Sequence, residues 1–349
     1  MRVLLDVTYA RRAPFSGTAV YLERLADALK RAEGFELIEV ANRRRRLPAG
    51  GGLGSVRNLI ADLWWTASEL PRLARREHAD LIHHPLPARA PRAGVPQVVT
   101  LTDLAYERLP ECFDRRFRAY AHQAYRRAAL AADAVVCISE TTASDARELW
   151  GLGSEQIVVA PLGPGQAFPA TAGERADPPR ARIHFLYVGD GEPRKNLGTL
   201  IEAYAIYRAA APSPLPLVLA GSATASGPGI QVRRRSAPEQ LDGLYADAVA
   251  LVHPSLYEGF GLAALEAMAA GVPVIAAEAP GVSEVCGDAA WYADPHSPGS
   301  FAAAMARVAQ DAALQVDLAE RGRRRAGQFS WERCAREHMD AYSLALKRA

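Results

Sequence analysis

The chain has 349 residues, of which 49% are hydrophobic and 23% are charged. This length and composition predict a soluble globular protein with enough apolar residues for two domain cores. The formal net charge of +2 argues against a dedicated nucleic-acid-binding protein. No apolar run approaches the roughly 20 residues that a helix needs to cross a bilayer.

The first residues and the cysteines indicate a cellular location. The opening sequence MRVLLDVTYARR is too short, and becomes charged too soon, for a signal peptide, so we interpret it as a first strand. The four cysteines are scattered and form no CxxC pair. We therefore expect reduced thiols in a cytoplasmic protein.

The chain begins with a pattern of strand, loop and helix. Arg2–Val7 predicts a strand, Thr8–Gly17 a loop, and Thr18–Ala32 an amphipathic helix. A glycine-containing loop before a helix can bind a phosphate, because the first N–H groups of the helix are free. A single glycine is far from a GxGxxG pattern, so a plain strand-to-helix turn is the alternative.

The rest of the first half alternates strands with helices, which predicts a parallel sheet covered by helices. His83 and His84 fall at the carboxyl edge of that sheet, where ligands bind in open α/β folds. A structural role is nevertheless the commoner one for such histidines. The predicted strands are Phe35–Ala41, Leu81–His83, Gln97–Asp103, Ala134–Ile138 and Ile157–Ala160, and the predicted helices are Asp114–Ala131 and Glu140–Trp150.

Two stretches of the first half combine basic and apolar residues. Arg43–Arg46 predicts a solvated loop, and the alternative is a basic rim that meets an anionic acceptor or an anionic membrane surface. Leu53–Arg75 contains Trp64 and Trp65 and is expected to pack on its domain. A membrane-facing helix with tryptophans at the interface is the alternative for this stretch.

A change of composition divides the chain. Residues 166–181 hold glycine, proline, alanine and charged residues without periodicity, which predicts a linker between domains at 1–165 and 182–330. The second half again alternates strands and helices, and Ser236 with Glu239 predicts a capping box. Its predicted strands are Ile183–Val188, Leu215–Ala220, Ile230–Arg233, Ala248–Val252, Val272–Ala277 and Ala290–Asp294, and its last helices are Pro298–Asp311, Ala312–Ala326 and Trp331–Lys347.

Arg194 and Lys195 follow the first strand of the second half and precede a predicted helix. The positive end of a helix dipole disfavours cations, so their position indicates that they serve a bound anion. Charge-assisted hydrogen bonds of this kind contribute roughly 1.5–3 kcal/mol each. A solvated Arg-Lys turn is the alternative.

His253–Gly271, with the sequence HPSLYEGFGLAALEAMAAG, follows a short buried strand and predicts a glycine loop and then a helix, Leu262–Ala270. Glu258 lies in the loop and Glu266 about one turn inside the helix. Their separation excludes a metal pair on one helical face, which needs a spacing of about three or four residues. Carboxylates accept hydrogen bonds from vicinal hydroxyls, so we interpret the pair as contacts to two parts of one sugar-containing ligand.

This stretch resembles the E-x7-E segment of the retaining GT-B glycosyltransferases of glycosyltransferase family 4. YVGDGEPRKNL at Tyr187–Leu197 resembles the phosphate-binding Arg/Lys segment of that family, and GVSEVCGDAAWYADP at Gly281–Pro295 follows in the family's order. The resemblance is close in the second half and loose in the first. It implies two Rossmann-like domains facing across a deep cleft, with the helix at 331–349 crossing back to pack on the first domain.

The resemblance also implies a role for each site residue. It implies an acceptor domain first and a sugar-nucleotide domain second, with a nucleotide-diphosphate sugar as donor substrate and no other cofactor. No DxD motif is found, and no metal ligand is expected. Glu266 would bind the ribose, Arg194 and Lys195 the diphosphate, and Glu258 the sugar. Asp103 would orient an acceptor hydroxyl. Gly17 and Thr18 would lie near the donor phosphates and the acceptor. Oxygens of the donor would contact the backbone of Gly259, Phe260, Gly261 and Leu262.

One position departs from the family. The residue before Asp103 is usually a histidine, and here it is Thr102. A threonine can donate and accept one hydrogen bond but cannot replace an imidazole. The departure supports an alternative from another class, a non-catalytic sugar-nucleotide-binding protein. A GT-B sugar-nucleotide 2-epimerase is a second alternative, but its motifs differ.

The segments EPRKNL and SEVCGDAAWYADP look like the mannosyltransferase-like subgroup, which favours GDP-mannose over a UDP-sugar. The acceptor could be a growing polysaccharide or other carbohydrate, a lipid-linked saccharide or a small natural product. Peripheral membrane contact through the basic surface of the first domain is consistent with a lipid-linked acceptor.

Overall fold

The computed structural model describes residues 1–12, 16–45, 53–165, 182–234 and 238–349. The chain forms two compact units, one of Met1–Leu162 with Trp331–Ala349 and the other of Gly163–Ser330. The predicted linker at 166–181, Arg46 of the arginine run and Ser236 of the predicted capping box lie outside the described residues.

Each unit contains a parallel six-stranded sheet with helices packed on it, so the prediction of two Rossmann-like α/β domains is confirmed. The first sheet has the order β2-β1-β3-β4-β5-β6. Its strands are β1 Arg2–Asp6, β2 Glu36–Val40, β3 Leu81–His84, β4 Gln97–Leu101, β5 Ala134–Cys137 and β6 Ile157–Val159. The helices of this unit before the linker are α1 Thr8–Arg12, α2 Gly17–Lys30, α3 Leu53–Trp64, α4 Leu70–Arg76, α5 Ala105–Arg108, α6 Arg115–Leu130 and α7 Glu140–Trp150.

The second sheet has the order β12-β11-β10-β7-β8-β9 and is also parallel throughout. Its strands are β7 His184–Gly189, β8 Leu217–Gly221, β9 Ile230–Arg234, β10 Ala248–His253, β11 Val274–Ala277 and β12 Ala290–Ala293. Its helices are α8 Leu197–Ala210, α9 Pro238–Ala246, α10 Leu262–Ala269, α11 Val282–Cys286, α12 Pro298–Gln310 and α13 Ala312–Ala326. No helix in the described ranges is long and apolar enough to cross a membrane.

The central strands β3, β4 and β10 are buried along their whole length because helices cover both faces of a parallel sheet. Every residue of β10 is buried, as is every residue of β5. Phe185 and Phe301 are fully buried in the core of the second unit, and Trp150 in that of the first. The predicted strands are therefore all present, with bounds that differ by at most two residues.

Two predicted loops contain short helices. Thr8–Gly17 was predicted as a loop, but Thr8–Arg12 is α1, because the Asp6 carboxylate accepts a 2.9 Å hydrogen bond from the Thr8 amide and caps the turn. The connection between the predicted strands Val272–Ala277 and Ala290–Asp294, for which no helix was predicted, contains α11. Helices of five residues are too short to show an apolar period, so the prediction missed both.

The stretch predicted over Leu53–Arg75 is one helical run, in which Trp65–Glu69 forms a π-helical segment between α3 and α4. Trp65 is buried, and its indole N–H donates to Asp6 Oδ2 at 2.8 Å. The guanidinium of Arg44 lies 3.7 Å from the centroid of the Trp64 ring. Trp65 therefore packs on the domain, as the first interpretation predicted, and does not face a membrane.

Residues Trp331–Arg348 form the last helix, α14, which packs on α2 and against β4, β5 and β6. A buried hydrogen-bond chain joins this helix to the first sheet. It consists of Tyr21, His83, Thr100, His338 and Tyr342, all buried.

The direction of every hydrogen bond in this chain follows from its last acceptor. His338 Nδ1 lies 2.7 Å from the Cys334 carbonyl oxygen, which can only accept, so Nδ1 carries the hydrogen. The neutral ring then accepts at Nε2, and the Tyr21 hydroxyl donates to it at 2.8 Å. Because the only hydroxyl hydrogen of Tyr21 is donated to His338, Thr100 Oγ1 donates to the Tyr21 oxygen at 3.0 Å.

The same reasoning continues to the other end of the chain. Thr100 Oγ1 has one hydrogen, so it accepts from His83 Nε2 at 2.8 Å. His83 Nδ1 is then an acceptor, and the Tyr342 hydroxyl donates to it at 2.9 Å. The chain starts and ends on α14, and with both imidazoles neutral each of its bonds has one donor and one acceptor.

We expect this chain to make the protein sensitive to mild acid. Burial lowers the pKa of His338 to about 4, and burial together with the nearby His338 and His84 lowers the pKa of His83 well below its usual range. A lowered pKa adds stability that is complete above the unfolded value, about 6.5, and is lost as the pH falls towards the folded value. Each histidine should therefore cost about 2 kcal/mol of the free energy of unfolding between pH 7 and pH 5.

Urea unfolding followed by circular dichroism at pH 7 and pH 5 measures this loss. His338→Asn keeps a donor near the Cys334 carbonyl but cannot titrate, so it should show a smaller difference between the two pH values. An unchanged difference in that variant would show that His338 is not responsible.

Candidate functional site

The candidate site lies where the order of the second sheet reverses. β7 and β10 are neighbours, but the chain continues from β7 to β8 on one side and from β10 to β11 on the other. Ligands of open α/β sheets bind beyond the carboxyl ends of strands at this reversal. The loops after β7 and after β10 meet there, because the Leu256 amide donates to the Arg194 carbonyl at 2.9 Å.

The loop after β7 places Arg194 and Lys195 in a 3₁₀ turn, Pro193–Lys195. Asn196 ends the turn in the left-handed region, with φ of 55°, before α8 begins. Its side-chain amide donates to the Pro254 carbonyl at 3.1 Å and to the Pro295 carbonyl at 2.7 Å. Asn196 therefore fixes the basic pair relative to the loop after β10.

Both cations contact the carboxylate of Glu258. Lys195 Nζ lies 2.6 Å from Glu258 Oε1, and Arg194 Nη1 lies 3.0 Å from Oε2. The side chains of Arg194, Lys195 and Glu258 are only 14%, 16% and 9% exposed. Charges at this depth are held in place by one another, since each would be costly to bury alone.

Two further groups contact the same carboxylate. Ser255 Oγ donates to Glu258 Oε1 at 2.8 Å, and His253 Nε2 lies 3.2 Å from that oxygen. Burial alone would raise the pKa of Glu258, but the charge of Lys195, the His253 contact and the charge of Arg194 hold that pKa well below its usual range. Glu258 is therefore an anion whose two oxygens are already occupied.

This geometry changes the interpretation of the basic pair. The position of Arg194 and Lys195 before a helix indicated a bound anion, but the protein supplies one itself in Glu258. Arg194 also contacts the half-exposed Glu192 at 2.9 Å. Among the described residues, Lys195 directs only one of its three ammonium hydrogens to a partner, which leaves two for a ligand.

Two glycines allow the loop after β10 to take its path. Gly281 has φ of 78°, and a Cβ there would lie 2.0 Å from the Glu258 carbonyl oxygen. Gly261 has φ of 99° and caps α10, whose first hydrogen bonds run from Ala264 N and Leu265 N to the Gly261 carbonyl. The N–H group of Leu262, at the first position of the helix, therefore has no acceptor within the helix.

Glu266 is buried on α10 and has its own partner. The Tyr245 hydroxyl, at the end of α9, donates to Glu266 Oε2 at 2.8 Å. Burial and the adjacent carboxylate raise the pKa of Tyr245 well above its usual range, so the phenol keeps its proton and remains a donor. This hydrogen bond fixes the orientation of the Glu266 carboxylate.

The remaining predicted residues lie in the first unit. Gly17 and Thr18 open α2, where the Ser16 hydroxyl caps the helix by accepting from the Ala19 amide at 3.1 Å. Asp103 Oδ1 accepts from the Ala105 amide at 3.0 Å, so this carboxylate caps the turn that follows it. Thr102 beside it is half-buried.

His83 and His84 are both buried, and both have the structural role that was predicted as the commoner one. His83 belongs to the hydrogen-bond chain, and His84 Nε2 lies 3.0 Å from Gln97 Oε1. Among the described residues, no group of three or more His, Cys, Asp or Glu side chains has the arrangement of a metal site.

Sequence reasoning missed three of the residues that build the site. Ser255 stands three residues before Glu258, a spacing at which a hydroxyl can reach a carboxylate in a turn, so it could have been found. Tyr245 and His253 gave no such signal, because their partners are set by how α9 and β10 pack.

Comparison with known proteins identifies the family of this chain. Residues 174–325 match the family "Glycosyl transferases group 1", and residues 15–163 match "Glycosyltransferase Family 4". The O-antigen chain mannosyltransferase B of Escherichia coli is 30% identical over 78% of this chain and 76% of its own length. Three other curated relatives are matched over 52 to 55% of their own length.

Solved structures show the same fold. The sucrose-phosphate synthase of Thermosynechococcus elongatus superimposes with a TM-score of 0.77 over 100% of both chains at 21% identity. HepE of Anabaena, solved in complex with UDP and glucose, has a TM-score of 0.69 over 98% of this chain and 99% of its own, at 19% identity. The fold is thus that of the GT-B glycosyltransferases.

The protein is therefore a glycosyltransferase with two Rossmann-like domains. More specifically, the chain belongs to glycosyltransferase family 4.

Proposed function

We propose that this protein is a retaining hexosyltransferase, which moves a sugar from a nucleotide-diphosphate sugar to an acceptor hydroxyl. The observation that carries the proposal is the buried cluster of Arg194, Lys195 and Glu258 at the reversal of the second sheet, beside the start of α10. Two cations and a helix start concentrate positive charge where the leaving diphosphate would gain negative charge.

Each group of the cluster has a task in this reaction. Lys195 and Arg194 stabilise the diphosphate as its bond to the sugar breaks, and the N–H groups from Gly259 to Leu262 hold phosphate and sugar oxygens. Glu266, oriented by Tyr245, accepts hydrogen bonds from the ribose hydroxyls. Glu258 holds both cations in place and borders the sugar.

We propose a front-face displacement, which would retain the configuration at the anomeric carbon. Glu258, the carboxylate of the cluster, is held by two cations and by Ser255, so it is poorly suited to form a covalent intermediate. The transition state would resemble an oxocarbenium ion, and stabilising the departing diphosphate would lower its energy most.

The donor is proposed to be GDP-mannose, with a UDP-sugar as the second candidate. The similarity to a mannosyltransferase supports mannose as the transferred sugar. The similarity to a structure that binds UDP and glucose supports a UDP-sugar as the second candidate. Thermal-shift screening against GDP-, UDP-, ADP- and dTDP-sugars tests this choice. A shift with GDP-mannose alone supports it, and a larger shift with another sugar nucleotide contradicts it.

The alternative, a non-catalytic sugar-nucleotide-binding protein, rests on Thr102 in place of the usual histidine. The two functions differ in product. An enzyme releases nucleoside diphosphate when an acceptor such as a mannose-terminated oligosaccharide is added, whereas a binding protein does not.

We expect transfer to proceed without a divalent cation. Arg194, Lys195 and the start of α10 supply the positive charge that a metal would otherwise provide. Activity measured after dialysis against EDTA should stay within about twofold of the untreated value. A complete loss that Mg²⁺ or Mn²⁺ restores would contradict the metal-free mechanism.

The acceptor is proposed to be a carbohydrate, a lipid-linked saccharide or a small natural product, reached in the cytoplasm or at the membrane surface. An apolar stripe on α3 supports the membrane contact, because Leu59, Ile60 and Leu63 are 45%, 62% and 59% exposed. Arg57 is exposed on this helix, and the exposed Arg44 lies against its Trp64. Anionic lipids attract such positively charged residues.

A vesicle assay tests the membrane contact. The double variant Ile60→Ser with Leu63→Ser should weaken partitioning onto phosphatidylglycerol vesicles about 100-fold or more, because two side chains that each contribute roughly 1.5–3 kcal/mol when buried are removed together. Ile206→Ser, at an exposed isoleucine of the second unit, is the control. Equal co-sedimentation of all three proteins would exclude the stripe as the contact.

A further inference from the structure

The second unit has a cavity at the edge of its sheet opposite the candidate site. Its volume is about 810 Å³. Arg182 precedes β7, Leu215 precedes β8 and Val249 is near the start of β10, so the cavity lies at the amino ends of strands whose carboxyl ends carry the cluster around Glu258. The end of α8 and the adjoining ends of α12 and α13 form its other walls.

Two guanidinium groups meet at one end of this cavity, beside Gly271. Arg182 Nη2 donates to the Gly271 carbonyl at 2.8 Å. The guanidinium of Arg323 covers Gly271, since a Cβ there would lie 2.2 Å from Arg323 Nη2. The Gly271 carbonyl follows the end of α10, which favours positive charge, so a structural role explains part of this arrangement.

The structural role leaves hydrogen-bond donors unused. Arg182 Nη1 is buried without a hydrogen-bond partner, and Arg323 makes no ion pair with any described residue. Glu320 also lines the cavity but is not within ion-pair distance of either arginine. Burial lowers the pKa of Arg182, and the neighbouring positive charge of Arg323 lowers it further.

The rest of the cavity is largely apolar. Tyr207, Leu215, Val249, Ala309 and Val316 line it, and the Tyr207 hydroxyl is already engaged by the Leu215 amide at 3.1 Å. A guanidinium pair recognises the oxygens of a phosphate or carboxylate, and an apolar wall accepts a hydrocarbon body.

We propose that this cavity binds an amphipathic anion, whose phosphate or carboxylate head lies between Arg182 and Arg323 and whose apolar body lies along the ends of α8 and α12. The site is separate from the donor site, although α10 connects the two edges: Glu266 lies within α10, and Gly271 follows its end. The proposal does not depend on the identity of the donor.

Calorimetric titration of the full chain with hexyl phosphate tests the proposal. Hexyl phosphate should bind. Hexanol, which lacks the phosphate, and inorganic phosphate, which lacks the hydrocarbon chain, should each bind at least tenfold more weakly. Arg182→Gln and Arg323→Gln should each weaken hexyl phosphate at least tenfold. Arg324→Gln, an exposed neighbour that does not line the cavity, is the matched control and should bind like the parent protein.

Lys195→Gln separates this site from the donor site. Hexyl phosphate should bind this variant as it binds the parent protein. Loss of binding in Lys195→Gln together with retention in Arg323→Gln would assign the anion to the donor site and overturn the proposal. Absence of binding to the parent protein would overturn it as well.

Discussion

Replacing Lys195 with glutamine should lower kcat by about 100- to 1,000-fold, the cost of removing one preorganised group that stabilises developing charge. Lys195 contacts Glu258 at 2.6 Å and has two ammonium hydrogens left for the leaving diphosphate. Glutamine keeps a donor at a similar length but loses the positive charge. Steady-state kinetics with saturating donor and acceptor measure the effect.

Two controls separate chemistry from folding for this variant. Thermal unfolding should stay close to that of the parent protein, because Arg194 still pairs with Glu258 at 3.0 Å. Lys347→Gln, at an exposed lysine of α14, removes the same charge elsewhere and should leave kcat unchanged. Near-parental kcat in Lys195→Gln would show that the leaving group does not lie beside this lysine.

Glu266→Gln should weaken nucleotide binding by about 100-fold or more. Two hydroxyls donating to an ionised carboxylate contribute roughly 1.5–3 kcal/mol each, and an amide loses much of that stabilisation. The change should appear in the KM for the donor and in the Kd for free nucleoside diphosphate. The value of kcat should fall less, since the ribose is remote from the reacting bond.

Tyr245→Phe provides a graded comparison for this second prediction. The carboxylate remains but loses the 2.8 Å hydrogen bond that orients it, so we expect about a tenfold loss of affinity. Glu202→Gln, at an exposed glutamate of α8, is the control for the change of charge. Parental affinity in Glu266→Gln would rule out ribose binding at Glu266, whatever the result for Tyr245→Phe.

Local patterns in the sequence were sufficient to predict the elements of both sheets. β10 begins with the apolar run Ala248–Val252, and the glycines, helix formers and Gly271 after it mark a loop and a helix with a definite end. The short helices α1 and α11 have no periodic pattern, so the sequence could not predict them. The order of the strands also depends on packing between distant segments, and local patterns do not contain it.

The site was predicted only in part for the same reason. Arg194, Lys195 and Glu258 were each singled out, but nothing in their spacing showed that they contact one another across 63 residues of chain. The contact makes Glu258 a partner of the two cations before any ligand arrives. Tyr245 is 21 residues from Glu266, and only the packing of α9 on the sheet brings the two together.

A crystal structure with GDP bound tests the central proposal most directly. The proposal predicts diphosphate oxygens within hydrogen-bond distance of Lys195 and the N–H group of Leu262, and both ribose hydroxyls on the Glu266 carboxylate. A nucleotide bound elsewhere, without contact to Lys195 or Glu266, would contradict it.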